Sequence, residues 1–354
     1  MQIFNKETFF KNKITTVNFI LAIVVMFIHS ENVALYENAH FVVSLFERFI
    51  SHSLGDLAVP TFFMISSYLF YRNFHLNQLI IKYKRRIKSV LCPYLIWNSL
   101  YFIIFYLITF FPIILSFMTT EAFILSPKLI FDAILFHKYN KVFWFMQQLI
   151  YFIMLSPLVY FFSKRKWGII GVVIIFIIGI YCPIFPNNQY GIQINMINYW
   201  ILGCYFALHK PSQFEEKGAK AFASLSVSVF IILLIIRFAL DYIIENPTFL
   251  LIFSSLLLLI NVPFLWFALS PVIPSHTPWW MQISFFIYAT HPLLVDAWKK
   301  GSARLLPDTS FFCLANYIFA VIISFMIIIA SAKLLLKFSP GLWEILTGGR
   351  KPGP

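Results

Sequence analysis

The chain has 354 residues, of which 60% are hydrophobic, 19% aromatic and 12% charged, with a formal net charge of +13 and a mean hydropathy of +0.81. A soluble domain of this make-up would expose far too much apolar surface to stay in solution, so the sequence is that of a multispanning membrane protein. The apolar runs do not alternate with polar residues as lipid-barrel strands do, which leaves helices as the spanning element.

A spanning helix needs about 20 mostly apolar residues. By that measure the sequence predicts an all-α polytopic bundle of about ten transmembrane helices, near residues 14–35, 54–72, 90–112, 142–163, 167–183, 194–209, 221–241, 248–269, 280–298 and 312–336. The apolar 113–135 region has room for a further or re-entrant helix. The first run follows KETFFKNK but shows no small-residue cleavage pattern, so it reads as the first helix and not as a signal peptide. Residues 1–347 read as one domain, and 348–354, GGRKPGP, as a short flexible end.

The basic residues give the orientation. With the N-terminus inside, inner segments hold about 19 of the 27 Lys and Arg, which predicts both termini in the cytoplasm and attraction to anionic membrane lipids. Because these cations sit in short interhelical loops, no nucleic-acid surface is expected. Cys92, Cys182, Cys204 and Cys313 fall in or at the ends of spans without a CxxC pair and read as buried apolar fillers.

Ionisable residues within a bilayer are costly and mark functional sites by default. In the first helix, IVVMFIHSEN places His29 near the outer third, and SFFIYATHPLLVDAW places His291 toward the outer half of the ninth, so the two imidazoles can face each other. The alternative for either imidazole is a plain hydrogen bond to a neighbouring helix or a place in the wet interfacial zone, where histidine costs little. Glu31, two residues after His29, lies about 200° around a helix. It would orient the imidazole only if the helix ends there, and otherwise reads as a solvated loop glutamate.

In LIIKYKRRIKSVLCPYLIW, Lys82, Lys84, Arg85, Arg86 and Lys88 precede the third helix on the inner side. Arginine forks bind phosphates bidentately, although a positive-inside anchor has the same look. VPTFFMISSYLFY puts Pro60 ahead of Ser66, Ser67 and Tyr68, a candidate wall of a polar cavity. VFWFMQQLIYFIMLSPLV carries Trp144 and Gln147, aromatic and amide groups that suit sugars or polar headgroups. No spacing of histidines and carboxylates resembles a metal-ligand set, so no metal is expected.

The order of AIVVMFIHS, VPTFFMISSYLFY, KRRIKSVLCPYLIW, FWFMQQLIYFIMLSPLV and SFFIYATHPLL resembles the acyltransferase 3 family of integral-membrane acyltransferases over nearly the whole chain. The resemblance implies an O-acyltransferase of the plasma (inner) membrane that takes an acyl group, commonly acetyl, from cytoplasmic acyl-CoA to a hydroxyl of a surface or exported glycan or glycolipid. It implies His29 as catalytic base or transient acyl carrier, with Arg85 and Arg86, flanked by Lys82 and Lys88, on the CoA phosphates. In the family pattern an arginine stands eleven residues before the histidine, often with an aspartate three residues earlier; those positions hold Asn18 and Thr15 here. Asn18 can hydrogen-bond at the cofactor end but carries no charge, so the source of the missing cation becomes a question for the structure. Two other readings stay open: a transporter or flippase of a lipid-linked or polar substrate, for which inverted repeats would be expected and none is visible, and a catalytically inactive relative.

Overall fold

The computed structural model describes residues 6–111, 124–165, 168–181 and 191–353. Among these the chain is all helical. α1 spans Lys6–Ser30 and α2 Phe41–Tyr71, the latter through one π turn at Phe49–Leu54; α3 spans Leu76–Ile108. α4 (Pro127–Leu135), α5 (Trp144–Met154), α6 (Ser156–Ser163), α7 (Gly168–Tyr181), α8 (Ile194–His209) and α9 (Pro211–Glu215) are shorter. They are followed by α10 (Lys220–Ile243), α11 (Pro247–Ala268), α12 (Ser284–Leu305), α13 (Ser310–Phe338) and α14 (Pro340–Thr347).

By length and composition, six helical stretches among the described residues are able to cross a membrane: Lys6–Leu35, α2, α3, α10, Pro247–Val272 and α13. The α5 and α6 pair, bent by 62° at a break, makes a seventh if it is one span. Helices also lie under the other expected spans, but α7 and α8 are short, and α12 carries Asp296, Lys299, Lys300 and Arg304 in its second half. The first helix starts eight residues, about two turns, before the expected 14–35 span and stops five residues before its end. Residues 41–53, which lie between the expected spans 14–35 and 54–72, are helical. Of the 113–135 region, 124–135 is described and holds α4; the rest, like Cys182, lies outside the described residues. Cys204 and Cys313 are buried as expected, whereas Cys92 is exposed.

α1 packs against α12 and α13 on one side and α2 on the other. It runs antiparallel to α2: Arg72, just past the end of α2, donates to Glu7 at 2.6 and 2.9 Å and to Glu215 at 2.7 Å, while Ile28 meets Gly55 near the other end. α8 lies close along α2, because Gly203 has no side chain where the Met64 carbonyl approaches: a Cβ there would stand 2.2 Å from that oxygen. Tryptophans and tyrosines fill this layer; Tyr68 stacks on Phe214 at 4.0 Å and Phe214 on Trp266 at 4.4 Å.

Residues 348–353, expected as a flexible end, are tied back to the bundle. Trp97 Nε1 donates to the Leu346 carbonyl (2.9 Å), Trp343 Nε1 to the Arg350 carbonyl (2.7 Å) and Gly353 N to Gln282 Oε1 (2.8 Å). Composition alone marked the segment as loose, and indole donors supplied by α3 and α14 reverse that.

Candidate functional site

The site begins with the way α1 ends. Ser30 is the last helical residue, so the final carbonyls of α1 lack intrahelical partners. Lys299 of α12 supplies one: its ammonium donates to the His29 carbonyl at 2.5 Å and to the Glu31 carbonyl at 3.3 Å, a cation at a helix C-terminus. The buried Glu47 carboxylate accepts from the backbone of Asn32 (3.0 Å) and Val33 (3.2 Å) and fixes the chain just beyond.

His291 stands two turns before Lys299 on the same helix. Pro292 has no N–H, so the carbonyl of Tyr288, four residues back, is left without its helical donor. The His291 ring takes that place, its Nδ1 lying 2.8 Å from the Tyr288 carbonyl and 3.1 Å from that of Ile287. Since carbonyls only accept, Nδ1 carries the proton and Nε2 is left as an acceptor. Nε2 is buried with no hydrogen-bond partner among the described residues. The rings of His29 and His291 lie 5.1 Å apart between centroids, as the sequence predicts. Among the described residues the His29 ring has no hydrogen-bond partner.

His29 opens on a cavity of about 780 Å³. α1 contributes Asn18, Val25 and Ile28 as well, and α2 gives one face, with Pro60, Phe62 and Ser66. Asn18 and His29 are eleven residues apart, about 16 Å along the helix, so the cavity runs for much of the length of α1. Toward the start of α1 it meets Arg86 and Arg350; near His29 it meets Asp56 and Arg237. The wall between these polar ends is mostly apolar, including Val25, Phe62 and Leu149.

The sequence-predicted residues separate on this geometry. His29, His291, Asn18, Arg86, Ser66 and Trp144 gather on or directly beside the cavity. Glu31 does not orient His29: the helix does end before it, but its carboxylate pairs with His52 at 2.9 Å toward the surface. Tyr68 is no cavity wall, for its hydroxyl donates to Glu215 at 2.7 Å on the other side of α2. Gln147 is buried with Oε1 3.2 Å from His137 Nε2, away from the cavity. Lys82 donates to the Phe70 carbonyl and, at 3.1 Å, to that of Arg72, capping the end of α2. Arg85 and Lys88 face outward. Of the basic cluster, Arg86 alone turns inward to the cavity, over the Phe70 ring at 5.8 Å.

Three contributors escaped sequence reasoning. Arg237 bonds to Asp56, to Ser254 Oγ (2.9 Å) and to the Ser53 carbonyl (3.1 Å); its signal was a lone arginine inside the apolar run LLIIRFAL. Lys299 was hidden because it lies past the end of the expected ninth span. Arg350, in the segment taken as flexible, packs on the Phe285 ring at 4.3 Å.

A sequence model of the acyltransferase 3 family, described as an acyltransferase domain, matches residues 13–334. That range takes in every cavity-lining residue except Arg350. The chain belongs to the acyltransferase 3 family. Membership implies a membrane acyltransferase. No curated protein and no solved structure matches the chain. Among the described residues no group of histidine, cysteine and carboxylate side chains could hold a metal ion.

Proposed function

We propose that this protein is a plasma-membrane O-acyltransferase that takes an acyl group, acetyl being the first to test, from acyl-CoA at the Arg86 end of the cavity and delivers it to a hydroxyl of a surface or exported glycan or glycolipid at the His29 end. The observation that carries the reading is one continuous cavity lined by Arg86 and Asn18 toward one end and His29 toward the other. The basic residues of the inner loops support a cytoplasmic Arg86 end. For the expected ten spans, the short α7 and α8 and the charge-bearing α12 would cross with the rest.

In this reading His29 accepts the acceptor's hydroxyl proton as the oxygen attacks the thioester carbonyl; the C–S bond breaks, and the CoA thiolate leaves with a proton returned from His29. Lys299 holds the backbone of His29, and His291, held by the Tyr288 carbonyl, walls its ring from the side. Both are positioning residues. The apolar stretch between the ends suits an uncharged acyl-pantetheine arm, while the phosphates stay with the guanidinium.

Purified protein given acetyl-CoA and a glycan acceptor is expected to release free CoA, and His29→Ala to lower that rate by about 10²–10⁴-fold with an unchanged gel-filtration profile. Wild-type turnover by the variant would make His29 structural and overturn the mechanism.

A further inference from the structure

Arg86 and Arg350 come from opposite parts of the sequence and line the same end of the cavity. Neither has an acidic partner among the described residues. Arg86 has no hydrogen bond there, and Arg350 donates only to the Thr347 carbonyl. The nearby carboxylate of Glu344 is taken by Lys351 at 2.6 Å. Two guanidinium groups drawn from water beside each other repel, and without an anion the arrangement is costly. Burial and the neighbouring Arg86 charge together push the Arg350 guanidinium down to about 10, still cationic at neutral pH.

The segment that brings Arg350 there is built for it. Gly348 has φ +66° and Gly349 φ +81°, the left-handed region that glycine enters freely. At Gly348 a Cβ would stand 2.8 Å from Pro93 Cγ, 2.9 Å from the Lys88 carbonyl oxygen and 2.9 Å from Ser89 Cα. The turn thus presses against the stretch of α3 that follows Arg86. The Arg350 carbonyl is then held by Trp343 Nε1 (2.7 Å) and Thr347 Oγ1 (3.2 Å), which leaves the side chain to point into the cavity.

We propose that Arg350 and Arg86 form a two-guanidinium site for a phosphate or diphosphate group, completed by the 348–353 segment folding over the start of α3. The positive charge that Asn18 does not supply reaches the cavity from these two residues. The chemistry fits the diphosphate of a nucleotide or the phosphate of a lipid headgroup. Assigning it to the acyl donor rests on the function proposed above; the anion site itself does not.

The test is calorimetric titration of inorganic pyrophosphate and of CoA into wild-type, Arg350→Gln and Arg350→Lys proteins, held in phosphatidylcholine nanodiscs at one salt concentration. A second set of nanodiscs contains phosphatidylglycerol. Arg350→Gln is expected to weaken pyrophosphate and CoA by about tenfold or more, and Arg350→Lys to recover part of the loss. Phosphatidylglycerol that weakens pyrophosphate binding in the wild type but not in Arg350→Gln would identify a headgroup as an occupant of the same site. Equal pyrophosphate affinity in wild type and Arg350→Gln overturns the site, and does so even if CoA still binds and turns over. If the wild type binds pyrophosphate through Arg350 but does not bind CoA, the site stands and the acyl-CoA reading falls.

Discussion

Pro292 decides the state of the residue before it. By withholding a backbone donor from the Tyr288 carbonyl, it gives the His291 ring a fixed tautomer and a fixed tilt beside His29. Pro292→Ala restores an N–H that competes for that carbonyl. The substitution removes a helix-interior proline, which intrinsic propensity disfavours by about 3 kcal/mol, so the melting temperature is expected to hold or rise. Turnover, in contrast, is expected to fall several-fold while the KM for the acyl donor stays constant, since on the proposed reading the donor's phosphates bind at the other end. Unchanged turnover would mean that His291 does nothing for His29. The pairing of the two histidines was legible in the sequence because each interrupts an apolar run at a similar depth. The choice between the two readings of Glu31 was not legible, because nearness along the chain said nothing of His52, which comes from the next helix and takes its carboxylate.

At the level of helices, apolar length located the segments well: the expected 194–209 coincides with α8, and 248–269 differs from α11 by one residue at each end. What it missed were helices carrying charge that is used internally. Glu47 interrupts the apolar pattern, yet it is buried because the backbone of Asn32 and Val33 needs an acceptor. Contacts between helices were equally invisible, as at Gly203, where one hydrogen in place of a methyl lets α8 reach the Met64 carbonyl. Gly203→Ala is expected to force the two helices apart, costing about 1–3 kcal/mol and lowering the melting temperature of the detergent-solubilised protein. A melting temperature equal to the wild type would show that the α2–α8 contact has slack.

For the molecule as a whole, the cavity joins a cationic end to a histidine end, and its continuity is what acyl transfer requires. Ser66 lies on the α2 face of this passage. Ser66→Trp is expected to obstruct it, leaving CoA affinity within about twofold of wild type and lowering turnover by about tenfold or more. Loss of both together would indicate general misfolding. The sequence pointed to the two ends of the passage, through His29 and the KRR run, but not to the passage itself, since a cavity is a property of how α1, α2 and α11 diverge and no residue pattern encodes it locally.

The apolar wall between Val25 and Leu149 has a bearing on waste. A thioester exposed to water is hydrolysed, and an enzyme that carries one across a membrane loses donor at every turnover in which water arrives before the acceptor. On the proposed reading, Phe62 and Leu149 keep that interval dry. Replacing both with serine is expected to produce a leak, seen as free CoA released in the absence of any acceptor, while the rate with acceptor changes far less. In those terms the bulk of the cavity's lining serves fidelity: it decides whether acyl groups leave the donor only when there is a hydroxyl to receive them.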